Sequence, residues 1–205
     1  MKGNKIRFMS LVIGLTGPTG AGKSSVTAIA EHMGFKVINC DNLARKATQK
    51  GSEGLLAVVS VFGKDILNAD DTLNRTILAK KAFGSKENTE LLNEILLPHI
   101  VKLIKQEINA PLVLLDAPTL FESGADSMCD TTIAVLCDVN IRKKRIIARD
   151  GLDSKSADLR ISAGKSDEFY IQKAQNIVYN NCELPIFEVE IQNLLNNIME
   201  EHKNV

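Results

Sequence analysis

The sequence predicts an α/β fold: a parallel five-stranded sheet flanked by helices, carrying a helical insertion and a lid. Three observations predict it. Short apolar runs alternate with longer amphipathic ones, the pattern of strands joined by helical crossovers. A glycine-rich run separates the first apolar run from the first amphipathic one. The stretch 42–111 is rich in Leu, Ala and Ile at helical spacing, holds no convincing strand, and is too long for a simple crossover.

The elements follow in order. Leu11 to Leu15 reads as strand one, and Ser24 to Met33 as a helix stopped by Gly34. Phe35 to Cys40 is the second strand, and Leu112 to Leu115 the third, with Asp116 at its carboxyl end. Ile133 to Cys137 is the fourth and Ile177 to Tyr179 a short fifth. From Pro185 to His202 the apolar residues Ile186, Val189, Leu194 and Ile198 keep helical spacing. The polar stretch 149–173 reads as a helix pair or mobile lid outside the core.

With 205 residues, 44% hydrophobic and 24% charged, the chain has the balance of a soluble domain, or of one domain with an insertion. A chain of this length buries roughly 70% of its unfolded surface, so no disulfide or metal staple is needed. Lys plus Arg is 25 and Asp plus Glu is 25. The zero net charge argues against a dedicated nucleic-acid binder. There is no Trp and aromatics are only 4%, which argues against a stacking platform for single strands.

Cys40, Cys129, Cys137 and Cys182 are scattered without zinc-ligand spacing and read as reduced thiols. Lys2, Lys5 and Arg7 before the apolar Phe8 to Leu15 superficially resemble a signal peptide. That stretch is short and runs into the glycine-rich loop, not a cleavage site. No apolar run approaches the roughly 20 residues that span a bilayer. A cytoplasmic protein is expected.

The glycine-rich run is Gly17-Pro18-Thr19-Gly20-Ala21-Gly22-Lys23-Ser24, followed by Ser25. It fits G-x-x-x-x-G-K-[ST] in the strand–loop–helix setting that the motif requires, which specifies a P-loop NTPase fold. The glycines let the backbone curl so that successive N–H groups form an anion nest. The helix that follows presents unpaired amides and the positive end of its dipole to the same phosphates. Lys23 reaches the β- and γ-phosphates, and the Ser24 hydroxyl is the candidate ligand of Mg²⁺. The D-x-x-G and N-K-x-D pair of a GTP switch is absent from the sequence. Size, insertion and polar lid together fit a small-molecule kinase.

Asp41 falls at the carboxyl end of strand two, where ligands bind in open α/β sheets. It reads either as the carboxylate that receives an attacking hydroxyl's proton or as the cap of the following helix. Asp116 ends strand three and reads as a Walker B-like carboxylate or as a loop support. Arg142, Arg145 and Arg149 are spaced i, i+3, i+7, within an arc of roughly 60° on a helix. They read as a polyphosphate-binding edge or as a solvated basic face. Arg149 is the candidate for stabilising charge on the transferred phosphoryl group. His32, His99 and His202 do not cluster.

These residues resemble the dephospho-CoA kinase family along nearly the whole chain. Gly14-Leu15-Thr16-Gly17 opens the loop as that family does, and Asp41-Asn42-Leu43-Ala44-Arg45 looks like its D-x-[IL]-[AS]-R segment. Leu73-Asn74-Arg75 is similar to L-[DN]-R. Asp116-Ala117-Pro118-Thr119-Leu120-Phe121-Glu122, then Ser123-Gly124, is similar to D-x-P-L-L-F-E and its sequel. Arg149-Asp150 resembles the lid's opening R-D, and Asn180-Asn181 the late asparagines near the adenine.

The resemblance implies ATP-dependent phosphorylation of the ribose 3′-hydroxyl of dephospho-CoA, giving CoA and ADP. It implies that Asp41 is the base or the hydroxyl-orienting group, that Arg45 and Arg75 face the acceptor, and that Arg149 belongs to the closing lid. It implies a nucleotide-binding core over 9–41, 112–141 and 174–205, a CoA-binding insertion over 42–111, and a lid over 142–173. Asp116 joins the substrate-binding set and Asn180 the nucleotide-binding set, beside Gly17, Gly20, Ala21, Gly22, Lys23, Ser24 and Ser25. The expected partner is dephospho-CoA, with no nucleic acid or membrane, and with the chain a monomer or weak homo-oligomer.

Four positions depart from the family pattern: Leu97 before Pro98, Thr119, Gly164 in the lid, and Tyr179 near the last strand. Two other readings stand beside this one. The first is a P-loop kinase for a nucleoside, nucleotide or shikimate-like acceptor, and the second an ATP-binding regulatory protein with impaired catalysis.

Overall fold

A computed structural model of the chain describes residues 10–204. The residues through Met9, which include the expected domain start and the basic segment before the first strand, lie outside the described part. The chain divides into two compact units, one holding everything up to Ile38 and from Asn109 onward, the other Asn39–Ile108.

The first unit is built on a parallel five-stranded sheet in the order β2-β3-β1-β4-β5. Its strands are β1 (Leu11–Thr16), β2 (Lys36–Asn39), β3 (Leu112–Asp116), β4 (Thr131–Leu136) and β5 (Asn176–Tyr179). All six residues of β1 are buried, as befits a central parallel strand covered on both faces. On one face pack α1 (Lys23–His32) and α9 (Leu184–Lys203). Helix α1 buries Val26, Ile29 and Ala30, and α9 buries Phe187, Ile191, Leu195 and Ile198, each set on one stripe of its helix. Burying one such large apolar side chain is worth about 1.5–3 kcal/mol.

The other part of this unit supplies α6 (Val139–Asp150), α7 (Ser154–Ser162) and α8 (Asp167–Lys173). A helix pair at 154–173 matches the sequence reading, but its placement outside the core does not hold. Tyr170 of α8 is 4% exposed and packs with Ala134 and Leu136 of β4, and Ala157 of α7 is fully buried. The two aromatics Phe169 and Tyr170 anchor α8, a signal that its polar composition hides.

The second unit contains α2 (Cys40–Ala47), α3 (Glu53–Phe62), α4 (Arg75–Ala82) and the 22-residue α5 (Lys86–Glu107). Its core gathers Val58, Phe62, Ile66, Leu78, Ala82 and Leu92. The unit begins and ends three residues earlier than the 42–111 read from composition. The cause is local: Asn39 caps α2 by accepting the Asn42 N–H at 2.9 Å, so the helix opens at Cys40. The second strand therefore stops at Asn39, short of the expected Cys40, and Asp41 is not the cap but lies in the first turn of α2. Among the described residues no helix is long and apolar enough to cross a membrane.

Candidate active site

The loop between β1 and α1 takes its shape from three glycines. Gly17, Gly20 and Gly22 have φ of 139°, 79° and 102°, backbone that side chains other than hydrogen resist. Space is closed as well. A Cβ on Gly17 would run into the Val135 carbonyl, and one on Gly20 would come 2.9 Å from the Arg142 carbonyl oxygen. Ala21 is fully buried. Gly22 is the left-handed N-cap of α1, so Lys23 and Ser24 occupy the helix's first turn, where unpaired amides gather. Lys23 Nζ donates to the Gly17 carbonyl at 2.8 Å, folding back across the loop. Ser24 is exposed, and the Ser25 N–H donates to the Gly22 carbonyl at 3.0 Å.

Donors behind the loop hold its carbonyls. Arg142 Nε donates to the Thr19 carbonyl at 3.2 Å. Asn180 Nδ2 and Arg145 Nη1 donate to the Ala21 carbonyl at 2.9 and 3.3 Å. Arg145 Nη2 in turn donates to the main-chain oxygen and to Oδ1 of Asn180, at 3.3 and 3.2 Å. The Cys137 thiol donates to the Asn180 carbonyl at 3.1 Å, and burial pushes its pKa up against the opposing pull of Arg145 and Arg142. Asn181 Oδ1 accepts the Asp138 N–H at 2.8 Å, fixing the exit of β4.

In a trans peptide the C=O and the next N–H point in opposite directions. A carbonyl pinned to the back of the loop therefore turns the following N–H to the front. Pinning Thr19 and Ala21 orients the N–H groups of Gly20 and Gly22. This arrangement corrects one expectation: the three spaced arginines do not form a single edge. Arg142 is buried and Arg145 half-buried against the loop, while Arg149 is exposed. Asn180, 4% exposed, acts through the loop's main chain.

Asp116 sits in register with Leu15 at the carboxyl end of the sheet's centre. The Ala117 N–H donates to the Leu15 carbonyl at 3.0 Å, and Thr16 Oγ1 to the Pro118 carbonyl at 3.2 Å. The strand ends are thus fastened together, with Asp116 Oδ1 shielded from solvent beside the start of the loop. A cleft of about 270 Å³ runs from Ser24 and Ser25 along α1 to Leu184 and Glu188.

Arg149 closes α6 and pairs with Asp150 at 2.8 and 2.9 Å, while Arg160 of α7 reaches the same carboxylate at 2.7 Å. The hydrogen bond and charge of Arg149 hold the Asp150 carboxyl below its ordinary range, and Asp150 raises the Arg149 guanidinium in return. Gly164 follows α7, exposed, and Tyr179 ends β5 with half its surface in solvent.

Within the second unit, Asp41 and Arg45 lie one turn apart on α2, both exposed, hence on one face. Arg75 opens α4, and its Nη2 donates to Thr48 Oγ1 at 3.1 Å at the end of α2. Asp41, Arg45 and Arg75 thus fall on one unit, and the loop, Asp116, Asn180 and Arg149 on the other. Sequence reasoning missed Asp167, which pairs with Arg142 at 3.1 Å, and the bracing role of Arg145. The i, i+3 spacing revealed the arginines but not which way they face.

The residues present fit a nucleotide polyphosphate. Positive-φ glycines, a helix N-terminus, outward-drawn carbonyls and a lysine folded across the loop are the features of an anion nest. The exposed Ser24 suits a hard cation shared with phosphate oxygens.

A family model described as dephospho-CoA kinase matches residues 11–185. The dephospho-CoA kinase of Pseudoalteromonas translucida is 37% identical over 183 residues, covering 88% of this chain and 87% of its own. Two solved structures share the fold. The TT1252 protein from Thermus thermophilus has a TM-score of 0.76 at 28% identity, covering 92% of this chain and 97% of its own. The dephospho-CoA kinase from Campylobacter jejuni has a TM-score of 0.66 at 27% identity, covering 95% of this chain and all of its own.

Proposed function

The chain belongs to the dephospho-CoA kinase family, and we propose that the loop Gly17–Ser24 and Asp41 are the two working parts of that activity. The reaction is ATP-dependent phosphorylation of the ribose 3′-hydroxyl of dephospho-CoA, the final step of coenzyme A biosynthesis. The observation that carries the reading is the loop itself, with the Thr19 and Ala21 carbonyls drawn back and Lys23 at its mouth.

In this reading the N–H groups of the loop and of the first turn of α1 take the triphosphate of ATP. Lys23 exchanges the Gly17 carbonyl for the β- and γ-phosphates. Ser24 would hold Mg²⁺, which when bound supplies charge neutralisation across those phosphates. Asp41 orients the acceptor hydroxyl and receives its proton. A bond forms from the ribose oxygen to the γ-phosphorus, the bond to the bridging oxygen breaks, and ADP leaves. Arg149 moves from Asp150 to the developing charge, and the lid excludes water that would otherwise hydrolyse ATP.

Arg45, Arg75 and Asp116 are the acceptor-binding residues of this reading, and the second unit is the insertion that receives dephospho-CoA. The cleft beside Ser24 and Ser25 gives the nucleoside room. The protein is taken as cytoplasmic, working as a monomer or weak homo-oligomer. The exposure of Asp41 and its place in the first turn of α2 support its assignment.

ADP release measured across acceptors tests the reading. Release should depend on dephospho-CoA and not on nucleosides, nucleotides or shikimate. Release with one of those instead would favour a different small-molecule kinase. Tight ATP binding without any acceptor-dependent release would favour a regulatory protein.

A further inference from the structure

Arg142 is the most deeply buried cation of the loop's surroundings, its side chain only 6% exposed. Its planar head points two ways. Nε donates to the Thr19 carbonyl at 3.2 Å, and Nη1 pairs with Asp167 Oδ1 at 3.1 Å. Asp167 lies in the first turn of α8. That helix is held in place by Tyr170, buried on β4, and by Phe169, which meets the Phe121 ring edge-on at 6.2 Å between centroids.

We propose that Arg142 is a positioning residue for the nucleotide: steadied by Asp167, it draws the Thr19 carbonyl to the back of the loop and so turns the Gly20 N–H toward the phosphates. The proposal rests on the reading that this loop holds the triphosphate of ATP.

A buried guanidinium facing only a carbonyl would be costly, because a single neutral acceptor does not repay its lost hydration. Asp167 neutralises it and fixes its plane, which leaves Nε directed at Thr19. The rigid fork makes both contacts at once; a lysine ammonium on its flexible stem can satisfy one of them or the other. Gly20 adds a steric link, since its Cα packs so closely on the Arg142 main chain that a Cβ would fall 2.9 Å from the carbonyl oxygen. Helix α8 therefore reaches the phosphate loop through two side chains, and loss of either should loosen the same peptide.

Steady-state kinetics of Arg142→Met, Arg142→Lys, Asp167→Ala and the Arg142→Met/Asp167→Ala double variant test this. Met keeps the apolar stem and removes the fork. The KM for ATP should rise about tenfold in Arg142→Met and in Asp167→Ala, with kcat and the KM for dephospho-CoA within about twofold of the parent. The double variant should be no worse than Arg142→Met, because the pair acts as a unit. Lysine should recover only part of the loss.

An unchanged KM for ATP in folded Arg142→Met would overturn the proposal. So would multiplying effects in the double variant, or complete recovery by lysine. If thermal melting shows that Arg142→Met does not fold, Asp167→Ala and Arg142→Lys carry the same comparison. Lys23→Ala serves as the reference: if it kept its ATP affinity, the reading of the loop as the phosphate site would fail. Loss of ATP affinity in Lys23→Ala, beside an unchanged KM in Arg142→Met, would remove the Arg142 proposal alone.

Discussion

Asn180 Nδ2 occupies the space that a Cβ on Gly22 would take, and the same nitrogen holds the Ala21 carbonyl at 2.9 Å. The third glycine of the loop and this distant asparagine fit each other so closely that neither can change alone.

Gly22→Ala should accordingly fail twice over, through its φ of 102° and through displacement of Asn180. The strained backbone alone costs about 1–3 kcal/mol. We expect a lowered melting temperature and at least about a tenfold loss of ATP affinity, because the Gly22 amide and the start of α1 move together. Calorimetric titration with ATP measures it; near-parental affinity would show that the close fit is not needed.

Asp41→Asn should leave folding and ATP binding intact, because the residue is exposed in the first turn of α2 and Asn39, not Asp41, supplies the cap. Turnover should fall by about 10²–10⁴, the usual contribution of a general base. ADP release under saturating substrates checks this, and parental turnover would remove Asp41 from the chemistry.

Asp150 makes a prediction in pH. Its carboxyl is held below the ordinary value by Arg149 and Arg160, so the folded state favours the ionised form. Its contribution is fully present above the unfolded-state pKa of about 3.9 and is lost as pH falls through the lower folded value. Amide protection at the α6–α7 junction should hold from about pH 7 to 5 and decline below about 4. Asp150→Asn should show the low protection already at neutral pH, and full protection in that variant would contradict the assignment.

Cys129 should be inert to alkylation. Burial, with Asp126 and Asp130 nearby, pushes its thiol up to about 12. At pH 8 roughly one molecule in 10⁴ would carry the thiolate that reacts. Iodoacetamide followed by peptide mapping should leave Cys129 of the folded protein unlabelled under conditions that label it fully after denaturation. Rapid labelling of Cys129 would mean that its seat opens, and with it the packing against Gly14, where a Cβ would come 2.8 Å from Sγ.

Much of the fold was legible in the sequence because its signals are local. Apolar runs such as Leu112–Leu115 are strands for the same reason that they are conspicuous: both faces are buried. The phosphate loop was legible because backbone conformation forces glycine at fixed spacing. Element ends were less so. Asn39 takes the cap that an Asp two residues later could equally supply, and the choice depends on where the α2 helix starts. The orientation of Arg142 and Arg145 was hidden because an i, i+3 spacing names a face without saying what it faces. Asp167 carried no signal at all, since its partner is 25 residues away on a different helix. By composition helix α8 looks outlying, because its charges outnumber its two anchoring rings.

Helix α9 and the asparagine that precedes it have a consequence for synthesis on the ribosome. Phe187, Ile191, Leu195 and Ile198 share one core with Val26, Ile29 and Ala30 of α1, and the Ala21 carbonyl waits for Asn180. A separation of 159 positions must be translated before the loop acquires this brace. Such long-range closure is slow relative to local helix formation. A nascent chain halted before residue 180 would carry every glycine of the loop and still lack the amide that holds the Ala21 carbonyl and fills the space beside Gly22, so the loop's full bracing comes long after its own residues are made.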